Sequence, residues 1–148
     1  KTLLLLNRQE TFQDFLKALA LTQKLGLEHC CHVILGLPGE SYEEQMQTAQ
    51  KLKELQVQGV KIHLLVAMQN TALHEWYKQG RWQPLEFAEY TRLAADFIHQ
   101  LHKDCIIHRF AGNGHPGYLA APKWAYTHRK QSAEAIISRL KSLQPTLP

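Results

Sequence analysis

The sequence predicts an α/β protein built from parallel βα units. Three observations carry that prediction. Short apolar runs alternate with amphipathic segments of helical period, no hairpin signal separates one run from the next, and glycines or capping pairs mark the boundaries. Right-handed crossovers are then expected between neighbouring strands. The chain has 148 residues, 45% of them hydrophobic and 20% charged, which suits one domain with a sizeable core.

The elements follow in order. The opening TLLLLNR reads as a helical turn capped by Thr2, because leucine favours helix where a strand would ask for β-branched residues. From Glu10 to Leu25 the residues Phe12, Phe15, Leu16, Leu19 and Ala20 keep 3,4 spacing, so an amphipathic helix runs until Gly26. Residues 29–35 form a short, mostly apolar strand. Ser41 with Glu44 three positions later is a capping box, opening a helix with Met46, Ala49 and Leu52 on one face and Gln58-Gly59 at its end. VKIHLLVA, 60–67, is a second strand. A short helix lies around Thr71–Lys78, QGRWQPL is a loop, and Glu86–His102 is a long helix striped by Phe87, Tyr90, Leu93, Ala94, Phe97 and Leu101. CIIHRF, 105–110, is a third strand. AGNGHPGYLAAP then leads as a loop into a last helix through Ile136, Ile137 and Leu140.

Strand alternation sorts the side chains by face. Val60, Ile62, Leu64, Val66 and Met68 share one face of the second strand; Lys61, His63, Leu65 and Ala67 share the other. In the first strand Cys31, Val33 and Leu35 oppose Cys30, His32 and Ile34. In the third, His108 sides with Ile106 and Phe110, and Arg109 with Cys105 and Ile107. An ordinary doubly wound sheet is apolar on both faces. Here one face carries ionisable groups whose unpaired burial would cost several kcal/mol. A polar cavity, as inside an open or partial barrel, explains them.

Bulk properties narrow the function. No apolar run nears the roughly 18 residues that span a bilayer, and no stretch of these residues reads as a secretory signal, so a cytoplasmic protein is the expectation. The net charge of +4 permits an acidic or nucleic-acid partner without requiring one. Cys30, Cys31 and Cys105 are an odd set with no C-x-x-C, which points to a reducing cytoplasm. A start at Lys1, directly on an element, raises the expectation of a fragment. The Gly-Leu-Pro-Gly loop after the first strand has the flexibility and the helix N-terminus to hold an anion or an adenosine edge. It matches neither a P-loop nor a dinucleotide fingerprint.

Four stretches together are more specific than any one. NRQETFQDFLKALALTQKLGLEHCCHVILGLPGES, VKIHLLVAMQNTALHEWYKQGRW, LEFAEY and IIHRFAGNG with the later APKW resemble the radical SAM superfamily, in its YhcC-type branch related to the Elongator catalytic subunit. The resemblance covers about Thr2 to Trp124. It implies the C-terminal half of a partial TIM barrel with its family-specific extension over 1–124; 125–148, beyond the resemblance, is expected to be a C-terminal helix. The resemblance further implies S-adenosylmethionine and a 4Fe-4S cluster as cofactors of the intact parent. Matching positions assign Ile34 and the Val66–Ala67 edge to the adenine, Gly36 to the adjoining turn, His32 to the ribose region and Arg8 to the methionine carboxylate. Lys61, His63, His108 and Arg109 are the candidates for lining an unknown substrate, with tRNA among those considered.

One departure is large. The family's C-x-x-x-C-x-x-C loop is absent, and thiolates normally hold such clusters. The isolated chain is therefore expected to hold no cluster and to be inactive, and its first strand to expose an edge that invites dimerisation. Two other classes compete. A cofactor-free RNA-binding module would use Arg129, Lys130 and exposed Trp82 or Trp124. A zinc protein would use Cys30, His32 and His63.

Overall fold

The computed structural model describes residues 2–110 and 116–143; residues 111–115 of the glycine-rich loop and the 144–148 end of the C-terminal segment lie outside them. The first turn is helical as leucine propensity predicts, α1 (Thr2–Leu5). Helix α2 (Phe12–Lys24) starts two residues later than the apolar period suggested, because Thr11 caps it. The Thr11 hydroxyl accepts from the Asp14 N–H, and the Asp14 carboxylate accepts from the Thr11 N–H. Strand β1 (Cys30–Leu35) leads to α3 (Tyr42–Glu54), opened by the reciprocal Ser41–Glu44 box. That helix stops where Gln56 turns left-handed at φ 52°, not at Gly59, which already lies in β2 (Gly59–Leu64).

The rest of the chain holds β3 (Ala67–Met68), α4 (Ala72–Lys78), α5 (Phe87–Gln100), β4 (Ile106–Arg109), β5 (Leu119–Ala121), α6 (Trp124–Thr127) and α7 (Arg129–Leu143). β1, β2 and β4 form a parallel sheet in the order β1-β2-β4. The predicted second strand is broken. Its ladder ends with the Leu65 N–H donating to the Leu35 carbonyl at 2.9 Å. The chain then turns away, and β3 pairs antiparallel with β5. The LAA of β5 sits inside a Gly/Pro-rich stretch with no β-branched residue, so no strand signal was there to read.

One face of the parallel sheet is sealed. Leu35, Val60, Ile62 and Leu64 meet Ala49 and Leu52 from α3 and Tyr90, Leu93, Ala94 and Phe97 from α5, all buried. Helix α7 packs along α5 with Ile136 enclosed. On the rim, the Arg139 guanidinium donates to both oxygens of Asp96 at 2.9 and 3.1 Å, and the Tyr42 hydroxyl donates to the same carboxylate at 2.9 Å. This fork joins α3, α5 and α7. Among the described residues no helix is long and apolar enough to cross a membrane.

Phe97 is fully buried and Ile137 is 40% exposed. Phe97→Ala is expected to lower the unfolding free energy by about 3–5 kcal/mol, and Ile137→Ala by less than about 1 kcal/mol. Urea denaturation followed by circular dichroism reads both.

Candidate active-site wall

The open face of the sheet is built by register. His32 of β1, Lys61 of β2 and Arg109 of β4 are partners across three adjacent strands, and Ile34 and His63 form the next row. Neighbouring strands lie about 4.8 Å apart, so three basic side chains stand in one line. Alternation from Ile107, which packs against the core, would turn Arg109 toward the helices. A register shift between Val60 and Lys61 corrects this: Ile107 pairs with Val60, but Lys61 pairs with Arg109, leaving His108 as the extra residue. Such a bulge re-aims the side chains that follow it.

Charge on this face is uncompensated. Neither Lys61 nor Arg109 enters an ion pair among the described residues. The His63 ring stacks on His32 with centroids 5.2 Å apart. Its Nε2 is closed to solvent and has no hydrogen-bond partner among the described residues. Burial pushes the His63 pKa down, and the neighbouring His32, Arg109 and Lys61 push it the same way. His108 points elsewhere. Its Nε2 lies 2.7 Å from where a Gly59 Cβ would be, at the amino ends of the strands, beside a cavity of about 470 Å³ that it shares with His29 and His102. Of the four predicted substrate residues, Lys61, His63 and Arg109 come together and His108 stands apart.

The predicted cofactor residues divide too. Arg8, His32 and Ile34 line one cavity of about 720 Å³ beside β1. Arg8 forks onto Glu10 at 2.9 and 3.2 Å in an exposed pair, a weak interaction that an incoming carboxylate can replace. Gly36, at φ +85°, is held by three protein neighbours. Its N–H donates to Gln45 Oε1 at 3.0 Å, its carbonyl accepts from Trp82 Nε1 at 3.1 Å, and an added Cβ would touch Leu85 at 3.0 Å. Val66 packs on the main core, while Ala67 is buried in a second cluster with Trp82 and Ala121.

Gln45, Trp82 and Leu85 thus set the turn after β1; the sequence pattern gives none of them this role, and Trp82, expected to be exposed, is buried. Two signals existed: Gln45 is a polar residue on the Ala49–Leu52 stripe, and Trp82 is a large aromatic in a polar loop. The burial of Trp82 also removes it from any stacking surface. Trp124 donates its indole N–H to the Leu85 carbonyl at 3.0 Å and packs edge-on against Phe87. Lys130 faces Glu134 at 3.9 Å. The RNA-binding alternative thereby loses its aromatic platform.

The thiols lack the spacing of an iron–sulfur ligand loop: Cys30 and Cys31 are neighbours in β1 and Cys105 lies far along the chain. Burial raises all three, Cys31 to about 11. Among the described residues no group of three or more His, Cys, Asp or Glu is arranged to hold a metal ion, the Cys30–His32–His63 set included.

Two outcomes are expected. Trp82→Phe strips the Gly36 carbonyl of its donor and should cost about 1–3 kcal/mol, read by thermal or urea unfolding. His63 titrates lower folded than unfolded, so acid protonates the unfolded chain first. Stability is then unaffected above the unfolded histidine value and falls as pH drops below it. His63→Gln should lose less stability than the parent between about pH 7 and pH 5, measured as urea midpoints at both.

Comparison with known proteins establishes the family and the fold. Residues 57–142 match the Radical_SAM C-terminal domain. Uncharacterized protein MJ0486 of Methanocaldococcus jannaschii is 39% identical over 125 residues, which cover 84% of this chain and 39% of that protein. Protein YhcC of Escherichia coli is 32% identical over 124 residues, covering 84% and 40%. The chain therefore spans about two fifths of these curated relatives. The structure of Methanocaldococcus infernus Elp3 with an N-terminal deletion superposes with a TM-score of 0.77 over 97% of this chain and 34% of that one, at 19% identity, a likeness of fold. The sheet is that of a partial TIM-barrel half, and the chain belongs to the radical SAM superfamily, as a C-terminal segment of the YhcC type.

Proposed function

We propose that this chain forms one wall of a radical S-adenosylmethionine active site, with the open sheet face turned toward the reacting centre. The observation that carries the reading is the cavity shared by Arg8, His32 and Ile34 at the edge of the basic row. Those residues suit the cofactor. A guanidinium fork matches a carboxylate, a half-buried isoleucine covers one face of a purine, and an imidazole beside it offers a hydrogen bond to a ribose hydroxyl. The unpartnered Nε2 of His63 marks the same face as one made for more than packing. When bound and reductively cleaved, the cofactor supplies radical hydrogen abstraction, and the protein orients and shields it. Arg8 anchors, Ile34 excludes water, and Lys61, His63 and Arg109 face the substrate. The cluster that delivers the electron finds no ligand set in these cysteines, so its ligands are assigned to other parts of the longer proteins of this family.

The test uses a full-length polypeptide carrying this segment, reconstituted anaerobically with iron and sulfide and reduced with dithionite. It should release 5′-deoxyadenosine and methionine. Ile34→Glu, which sets a carboxylate against the purine, should lower that yield by about tenfold or more without changing cluster content by iron analysis. A cluster-loaded protein that cleaves no cofactor overturns the reading.

A further inference from the structure

Three basic side chains in line on adjacent strands need an explanation. Like charges directly across a sheet are destabilising, and here the bulge between Val60 and Lys61 brings Arg109 into the line that plain alternation would have kept it out of. Elsewhere the same chain pairs its cations readily: Arg139 with Asp96, Lys51 with Glu54, Lys78 with Glu75. On this face no carboxylate answers Lys61 or Arg109 among the described residues. The arrangement fits an anion brought by a ligand. Two permanent cations beside two imidazoles match the two charges of a phosphomonoester better than the single charge of a phosphodiester or a carboxylate.

We propose that Lys61, Arg109 and His32 form a phosphate-binding row that takes a substrate bearing a terminal phosphomonoester. The proposal rests on the reading that this face meets the substrate, and it adds the substrate's chemical class. Lys61 and Arg109 supply the charge and most of the hydrogen-bond donors. His32, on the neighbouring strand, has two ring nitrogens, so one can meet the cofactor's ribose while the other donates to the phosphate, and its ring is held by stacking on His63. His63 stands in the second row and feels the ligand electrostatically. Its titratable and charged neighbours are His32, Lys61 and Arg109, all basic, so an anion placed on the row moves its titration upward.

The experiment follows the His63 Hε1 proton resonance of the chain, assigned by its loss in His63→Gln, as pH is varied. Inorganic phosphate should raise the titration midpoint saturably. Dimethyl phosphate, a diester that cannot lose a second proton to become a dianion on the row, should need about tenfold more ligand. Lys61→Met and Arg109→Gln, each judged folded by amide-shift dispersion, should weaken the phosphate response by about tenfold relative to its own baseline. Arg129→Gln, on α7 away from the row, should leave it unchanged. An unmoved midpoint, an equal response to the diester, or basic-row variants that respond like the parent overturn the proposal. S-adenosylmethionine is the further arm. If it displaces phosphate from the row, the row serves the cofactor's carboxylate, and the phosphate inference falls while the radical reading stands. Saturable phosphate binding beside a full-length protein that cleaves no cofactor has the reverse meaning.

Discussion

A three-stranded parallel sheet with aliphatic side chains on one face and ionisable ones on the other has one stable placement, with the aliphatic face against helices. Burying Val60, Ile62 and Leu64 under α3 and α5 removes apolar area from water. Burying Lys61 or Arg109 there would strand a charge. The choice of face follows from that asymmetry, and the positions of His32, Lys61 and His63 follow from the choice. Tyr90 shows how tightly the seal is made. It is fully buried within α5, and its hydroxyl donates to the Phe110 carbonyl just past β4, so the helix layer also fixes where the third strand ends.

At the carboxyl ends of the strands a second constraint acts. Gly36, Gln45, Trp82 and Leu85 form a junction in which backbone groups and side chains satisfy one another. The small β3–β5 sheet and its cluster of Ala67, Trp82 and Ala121 brace the same end. The turn after β1 therefore has little freedom, and the half-buried Ile34 two residues before it inherits that rigidity. Residues that position a site in this way outnumber those that would touch a ligand.

What could be read from the sequence was local and periodic. Capping at Ser41, the stripe of α5, the α1 turn and the faces of β1 and β2 all depend on residues a few positions apart, and all were legible. What escaped depends on partners far away in the chain. The β2–β4 bulge is a property of two strands, so the alternation of IIHRF alone could not tell which of His108 and Arg109 stands in line with Lys61. β5 exists because β3 offers it an edge. The stop at Gln56 was missed because a glycine stood nearby and a glutamine at positive φ is uncommon. At the candidate site, alternation grouped Lys61 and His63 correctly, yet it could not tell that His108 turns toward the opposite end.

Gly59 and His108 are better understood as one residue shared between two strands. The imidazole occupies the space where a side chain at 59 would stand, 2.7 Å from the absent Cβ. His108 is also the extra residue of the bulge, so the same ring that fills the gap marks the shift that turns Arg109 inward. An alanine at 59 need not break the strand, because the exposed ring can swing away, but the bulge would lose the wall it leans on. The two positions should then drift through evolution as a pair. A lineage that gains a side chain at 59 is expected to shrink the residue at 108, and to surrender with it the aim of the arginine that follows.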